Sequence, residues 1–109
     1  MLMIANKAKF FLCQTPVNMR KSFEGLSAIV EQSFSEKLLS GSFFIFLNRR
    51  KDQMKVLYWD VDGLAIWFKR LEKGTFAKKE PHDCLIDRKE FLMLLEGVTP
   101  KRIQSRFSL

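Results

Sequence analysis

One histidine, two cysteines and a close pair of aspartates are the residues whose types could do acid–base, nucleophilic or metal chemistry. His82 lies between Pro81 and Asp83. With neighbouring Lys and Arg groups, an imidazole there would suit a small basic ribonuclease, moving a proton while the cations hold the scissile phosphate. No nucleophile accompanies it in sequence, and a loop position is the simpler reading. Asp60 and Asp62 flank a tight turn, where Asp is favoured for backbone reasons, so their pairing is weak ground for a metal site. Cys13 and Cys84 stand 71 residues apart without CxxC spacing, and one His cannot complete a four-ligand zinc site with them. A single disulfide is open on paper, but buried free thiols are the expected state. The chain has no P-loop, GxGxxG, GxSxG or HExxH. We read it as non-enzymatic, without cofactor or metal.

Cationic chemistry, by contrast, is abundant. The 109 residues carry a formal charge of +7, which favours an anionic partner. Residues 49 to 79 hold nine Lys/Arg against four Asp/Glu, so much of the excess lies there. Arg49, Arg50 and Lys51 cluster at one predicted turn, and Lys69, Arg70 and Lys73 return towards it. Such an exposed rim of flexible cations is what phosphate contacts need. The candidate nucleic-acid contacts are Arg49, Arg50, Lys51, Lys69 and Arg70, with Arg20 and Lys21 as weaker candidates at the start of a predicted helix. Both tryptophans and the only tyrosine fall between these clusters. Tyr58 and Trp67 could stack bases, but cross-strand aromatic pairs are more often packing. They are better candidates for a protein interface.

The elements that must position these groups are legible as apolar patterns. "KFFLCQ" (Lys9 to Gln14) before Pro16 suggests a strand ending in a turn. Asn18 then reads as the N-cap of a helix to about Phe34, with Met19, Phe23, Leu26, Val30 and Phe34 as its apolar stripe. Gly25 within it costs about 1 kcal/mol relative to Ala and implies a close approach to whatever the helix packs on. After a loop at Leu39 to Ser42, Phe43 to Leu47 is apolar throughout, the pattern of a strand covered on both faces. A polar turn (Asn48 to Gln53), a strand (Met54 to Trp59), a tight Asp60–Gly63 hairpin and a returning strand (Leu64 to Leu71) follow. Thr75 to Lys78 suggests a short edge strand, and Cys84 to Ile86 a last one. Asp87 with Glu90 reads as a capping box for a second helix, whose apolar face is Phe91, Leu94 and Leu95 and whose stop is Gly97 with Pro100.

A two-residue turn puts Leu57 and Trp59 on one face with Leu64, Ile66 and Phe68, and Val56 and Tyr58 on the other with Trp67 and Lys69. A four-residue loop at Arg49 to Asp52 adds Phe44 and Phe46 to the first face and Phe43, Ile45 and Leu47 to the second. Both faces are then apolar. The first helix can cover one; the other needs the C-terminal helix, a second copy of the chain, or a partner. The expected fold is α+β, an antiparallel meander of about four to six strands with one helix from the N-terminal half packed on it and a short C-terminal helix. One domain is expected over residues 1–100, followed by a basic tail over 101–109. The start "MLMIANKAKFFL" has no signal-peptide pattern, and no apolar run approaches the roughly 18 residues that span a bilayer, so a cytoplasmic protein is expected.

Three stretches carry a resemblance: "PVNMRKSFEGL" (Pro16 to Leu26), "SGSFFIFLNRRKDQMKVLYWDVDGLAIWFKRLEKGTF" (Ser40 to Phe76) and "LLEGV" (Leu94 to Val98). In this order they resemble the small accessory protein of insertion-sequence-sixty-six elements, the TnpB or Orf2-like family. The resemblance covers about Lys9 to Pro100. One departure is Asn18, where the family pattern commonly has Asp; both are good N-caps. The resemblance implies participation in transposition beside a separate, larger transposase, and it carries no catalytic residue over. Element-end DNA and the transposase are the implied partners. Two molecular roles follow: a DNA-binding factor using the basic rim, or a protein-interaction module docking through Tyr58 and Trp67. The small ribonuclease is the remote alternative.

Overall fold

The all-apolar run Phe43–Leu47 becomes the middle strand of a five-stranded sheet and is buried at every position. In a computed structural model that describes residues 8–34, 38–76 and 85–96, the chain runs β1 (Phe10–Leu12), α1 (Phe23–Ser33), β2 (Phe43–Leu47), β3 (Gln53–Asp60), β4 (Gly63–Arg70), β5 (Leu85–Ile86) and α2 (Arg88–Glu96). The sheet order is β4-β3-β2-β1-β5. The fold is α+β, with one early helix and one short helix near the C-terminal end.

Strands β2, β3 and β4 form the expected antiparallel meander. The remainder differs from an all-antiparallel sheet. β1 pairs parallel with β2, Phe10 opposite Phe43 and Leu12 opposite Ile45, while β5 pairs antiparallel with β1. Parallel neighbours require a crossover, and α1 supplies it. Residues Thr75–Phe76 are not a strand; Phe76 is instead buried in the core, with its N–H bonded to the Lys51 carbonyl at 2.8 Å. Lys78, Cys84, Gly97, Pro100 and the 101–109 tail lie outside the described residues, as does His82.

Period-two alternation divides the core as the register demands. On the face under α1, Phe11, Phe44, Phe46 and Leu57 pack with Leu26 and Val30 of the helix. Phe11 and Phe44 stack at 5.6 Å, and Phe34 closes against Phe44 at 5.4 Å. On the opposite face Phe10, Phe43, Ile45, Val56 and Phe76 pack with Phe91 and Leu94 of α2. The Phe10 and Phe91 rings stack at 4.5 Å. Thus α2 covers the second face at the β1 side, while Tyr58 and Trp67 pack half-buried at its β3–β4 side. Among the described residues no helix is long and apolar enough to cross a membrane.

Local signals held where the chain was free to obey them. The capping box of α2 forms: Glu90 N–H donates to Asp87 Oδ1 at 2.7 Å, and Asp87 N–H to Glu90 Oε1 at 3.3 Å. Asn18, however, does not cap α1. Its Oδ1 accepts from Arg20 N–H at 2.8 Å in a turn, and the helix begins only after Ser22. The reason is that Val17 N–H is bonded to the Leu47 carbonyl at 2.9 Å, so residues 18–21 are used to turn away from the sheet. The late start leaves Phe23 at 44% exposure rather than on the buried stripe. Gly25 makes its close approach to the helix's own entry: a Cβ there would meet Lys21 Cβ at 3.1 Å.

Candidate nucleic-acid interface

Three separate chain segments converge at one end of the sheet. After β1, Cys13 N–H bonds the Ile45 carbonyl and Val17 N–H the Leu47 carbonyl, both at 2.9 Å, so Pro16–Arg20 is delivered beside the end of β2. There the chain turns through a four-residue loop, Arg49 to Asp52. Asn48 holds that loop: its Oδ1 accepts from Asp52 N–H and Gln53 N–H at 3.0 Å each, and its Nδ2 donates to Asp52 Oδ1 at 2.6 Å. Lys51 turns the chain with φ +60 and bonds back to the Asn48 carbonyl. β4 ends at the same place, with Arg70 opposite Gln53 and Leu71 N–H bonded to the Asp52 carbonyl at 2.8 Å.

The three segments enclose an open groove of about 1110 Å³. Arg20 comes from the first segment, Arg49 and Arg50 from the second, Arg70 from the third. Glu72 is the carboxylate in the lining, and its Oε1 sits 3.5 Å from Arg70 Nη2, with both side chains exposed. An exposed pair of this kind contributes about 0–1 kcal/mol and is readily exchanged for another anion. Among the described residues, four guanidinium groups against one carboxylate leave the groove strongly positive. Each guanidinium presents a planar fork of donors matched to phosphate oxygens.

The candidates read from sequence separate into two groups. Arg49, Arg50, Arg70 and Arg20 share the groove. Lys69, next to Arg70 in sequence, pairs with Met54 and so belongs to the opposite face of β4. Lys51 is half-buried in the loop and outside the lining. Lys21 also stands outside it; its stem lies against Gly25 and its carbonyl accepts from Lys55 Nζ at 2.8 Å. Tyr58 and Trp67 are on the face away from the groove, where Tyr58 tilts against Phe43 at 5.1 Å. Burial, helped by the Asp60 carboxylate, pushes the Tyr58 hydroxyl pKa up. Asp60 and Asp62 flank the far hairpin turn, where Asp62 N–H closes on the Asp60 carbonyl around Val61 at φ +54. Among the described residues no group of three or more His, Cys, Asp or Glu is placed to hold a metal ion. Cys13 is buried and forms no disulfide among the described residues.

Phe68 and Gln53 are among the groove residues that sequence reasoning did not name as part of a site. Their signal was available: strand alternation puts Phe68 and Arg70 on one face, at a strand end beyond the reach of an apolar helix stripe.

This arginine groove is lined entirely by residues of the two longer stretches that carry the resemblance, and a family model described as "IS66 Orf2 like protein" matches residues 8–105. The chain belongs to the IS66 Orf2-like family. It is 27% identical over 100 residues to "Uncharacterized protein y4jC" of Sinorhizobium fredii, an overlap of 90% of this chain and 86% of that protein. A second protein of the same organism, "Uncharacterized protein y4hO", is 28% identical over 100 residues, covering 90% and 87%. No solved structure matches the chain. IS66 Orf2-like membership associates the protein with transposition as an accessory component.

Proposed function

We propose that the chain assists transposition by binding DNA of the element ends through the arginine groove, leaving strand chemistry to a separate transposase. The observation that carries this reading is the convergence of Arg20, Arg49, Arg50 and Arg70 from three segments onto one groove. Phosphate oxygens are the ligands such a cluster of forks takes most strongly. Affinity for element-end duplex should fall steeply with salt, and changing Arg49 and Arg50 to Glu should abolish binding at low salt while the fold survives. Wild-type protein that binds no duplex at low salt would defeat the proposal.

A second reading has its own observation. Tyr58 and Trp67 stay half-buried on the second sheet face, away from the stack that α2 makes on Phe10. That surface suits docking on the transposase. Co-purification that survives high salt and is lost in Trp67→Asp, with the fold intact, would support it.

A further inference from the structure

We propose that the groove takes single-stranded DNA, with one unstacked base lying on the Phe68 ring and the flanking phosphates on the arginines. This rests on the reading that the groove binds DNA, and it adds single strands to the duplex that the same arginines hold. Phe68 is 51% exposed and belongs to neither apolar cluster, although Leu57 and Ile66 on the same face are packed under α1. Its ring lines the groove beside Arg70, two residues along β4 on the same face. The cross-strand partner of Phe68 is Lys55, whose Nζ lies 5.2 Å from the ring centroid while donating to the Lys21 carbonyl at 2.8 Å. The ring is therefore braced on one side by a cation that is itself tied to the backbone.

A flat aromatic surface edged by cations is the combination that holds single strands. Every base offers a π-face, and its phosphates are within reach of flexible basic side chains. In a duplex those π-faces are stacked on one another, and a ring set in a groove, rather than at a protruding tip, has no means of entering the stack. Gln53, opposite Arg70 on β3, adds an amide to the same lining that can meet a base edge. At about 1110 Å³ the groove exceeds the roughly 300–1,000 Å³ of small-molecule sites, so it has room for a nucleotide and its neighbours.

The test is fluorescence anisotropy of the full chain with a labelled single strand of about 15 nucleotides, near the upper end of known site sizes, and with the duplex of the same sequence. Phe68→Ala should weaken single-strand binding by about 10-fold, the loss expected for one stacked base, and leave duplex binding within about twofold. Phe68→Trp should restore single-strand affinity and add an emission component that the bound strand quenches. Unchanged circular dichroism and thermal midpoint confirm that each variant folds. Equal loss on both DNAs, or no loss on either, overturns the stacking proposal while the duplex reading stands. An RNA of the same sequence that binds more tightly overturns the assignment to DNA. Wild-type protein that binds neither form overturns both readings together.

Discussion

Asn48 and Asp52 clasp each other across the loop that carries Arg49 and Arg50: Asn48 Nδ2 donates to Asp52 Oδ1 at 2.6 Å, and Asp52 N–H returns to Asn48 Oδ1 at 3.0 Å. The two loop arginines of the groove thus depend on a neutral amide for their position. Asn48→Ala removes both of these bonds and the one from Gln53 N–H. It should lower stability by about 1–3 kcal/mol in urea unfolding, through backbone donors left without partners in a half-buried loop. DNA affinity should fall as well, although every charge is retained. Full affinity in a folded Asn48→Ala protein would show that the loop needs no clasp.

Position on the sheet, rather than position in the sequence, should decide which cations matter. Arg20 shares the groove with Arg49 although it is 29 residues away, whereas Lys69 adjoins Arg70 in the chain and lies on the other face. Arg20→Ala should therefore weaken duplex binding about as much as Arg49→Ala. The slope of log affinity against log salt should drop by about 0.9 for each phosphate that is no longer neutralised. Lys69→Ala should change neither quantity appreciably. A reversed ranking in salt titrations would move the binding surface to the Lys69 face.

Phe91 anchors α2 through its 4.5 Å stack on Phe10, and it is fully buried. Phe91→Ala should destabilise the fold by about 3–5 kcal/mol, through the transfer energy of the ring and the cavity left behind. Because α2 covers one sheet face while Phe68 and Arg70 lie on the other, DNA binding by the fraction still folded should be preserved. Denaturant midpoints together with anisotropy on the same samples check both halves of this expectation.

What could be read from the chain was whatever is set by near neighbours. Alternation placed Val56 with Trp67 on one face and Leu57 with Ile66 on the other because parity needs only the length of a turn, and the register agrees. Asp87 and Glu90 announced their reciprocal cap because both partners sit within one helical turn. Asn18 misled for the converse reason. Its role was decided by a bond from Val17 to Leu47, a pairing no local pattern encodes. The pairing of the three-residue β1 was equally hidden, since so short a strand does not specify its neighbours. The groove was half legible. Its loop arginines stood out as a cluster, but Arg20 joined them only through that same long-range bond, and Phe68 was recognisable as part of the site only once alternation was tied to the reach of α1.

The place of β1 bears on how the protein is made. It is the earliest of the described strands to leave the ribosome, and it ends between β2 and the late strand β5, with Phe10 paired to both Phe43 and Ile86. The meander from β2 to β4 is contiguous and can assemble while translation continues, but β1 gains its second neighbour only when the chain has grown past Ile86. During that interval Phe10 and Phe43 lie without Phe91 over them, and the nascent protein shows a bare apolar face beside an unpaired strand. Synthesis of the stretch from β4 to α2 is therefore the step at which a growing chain of this protein is most exposed to sticking to its neighbours.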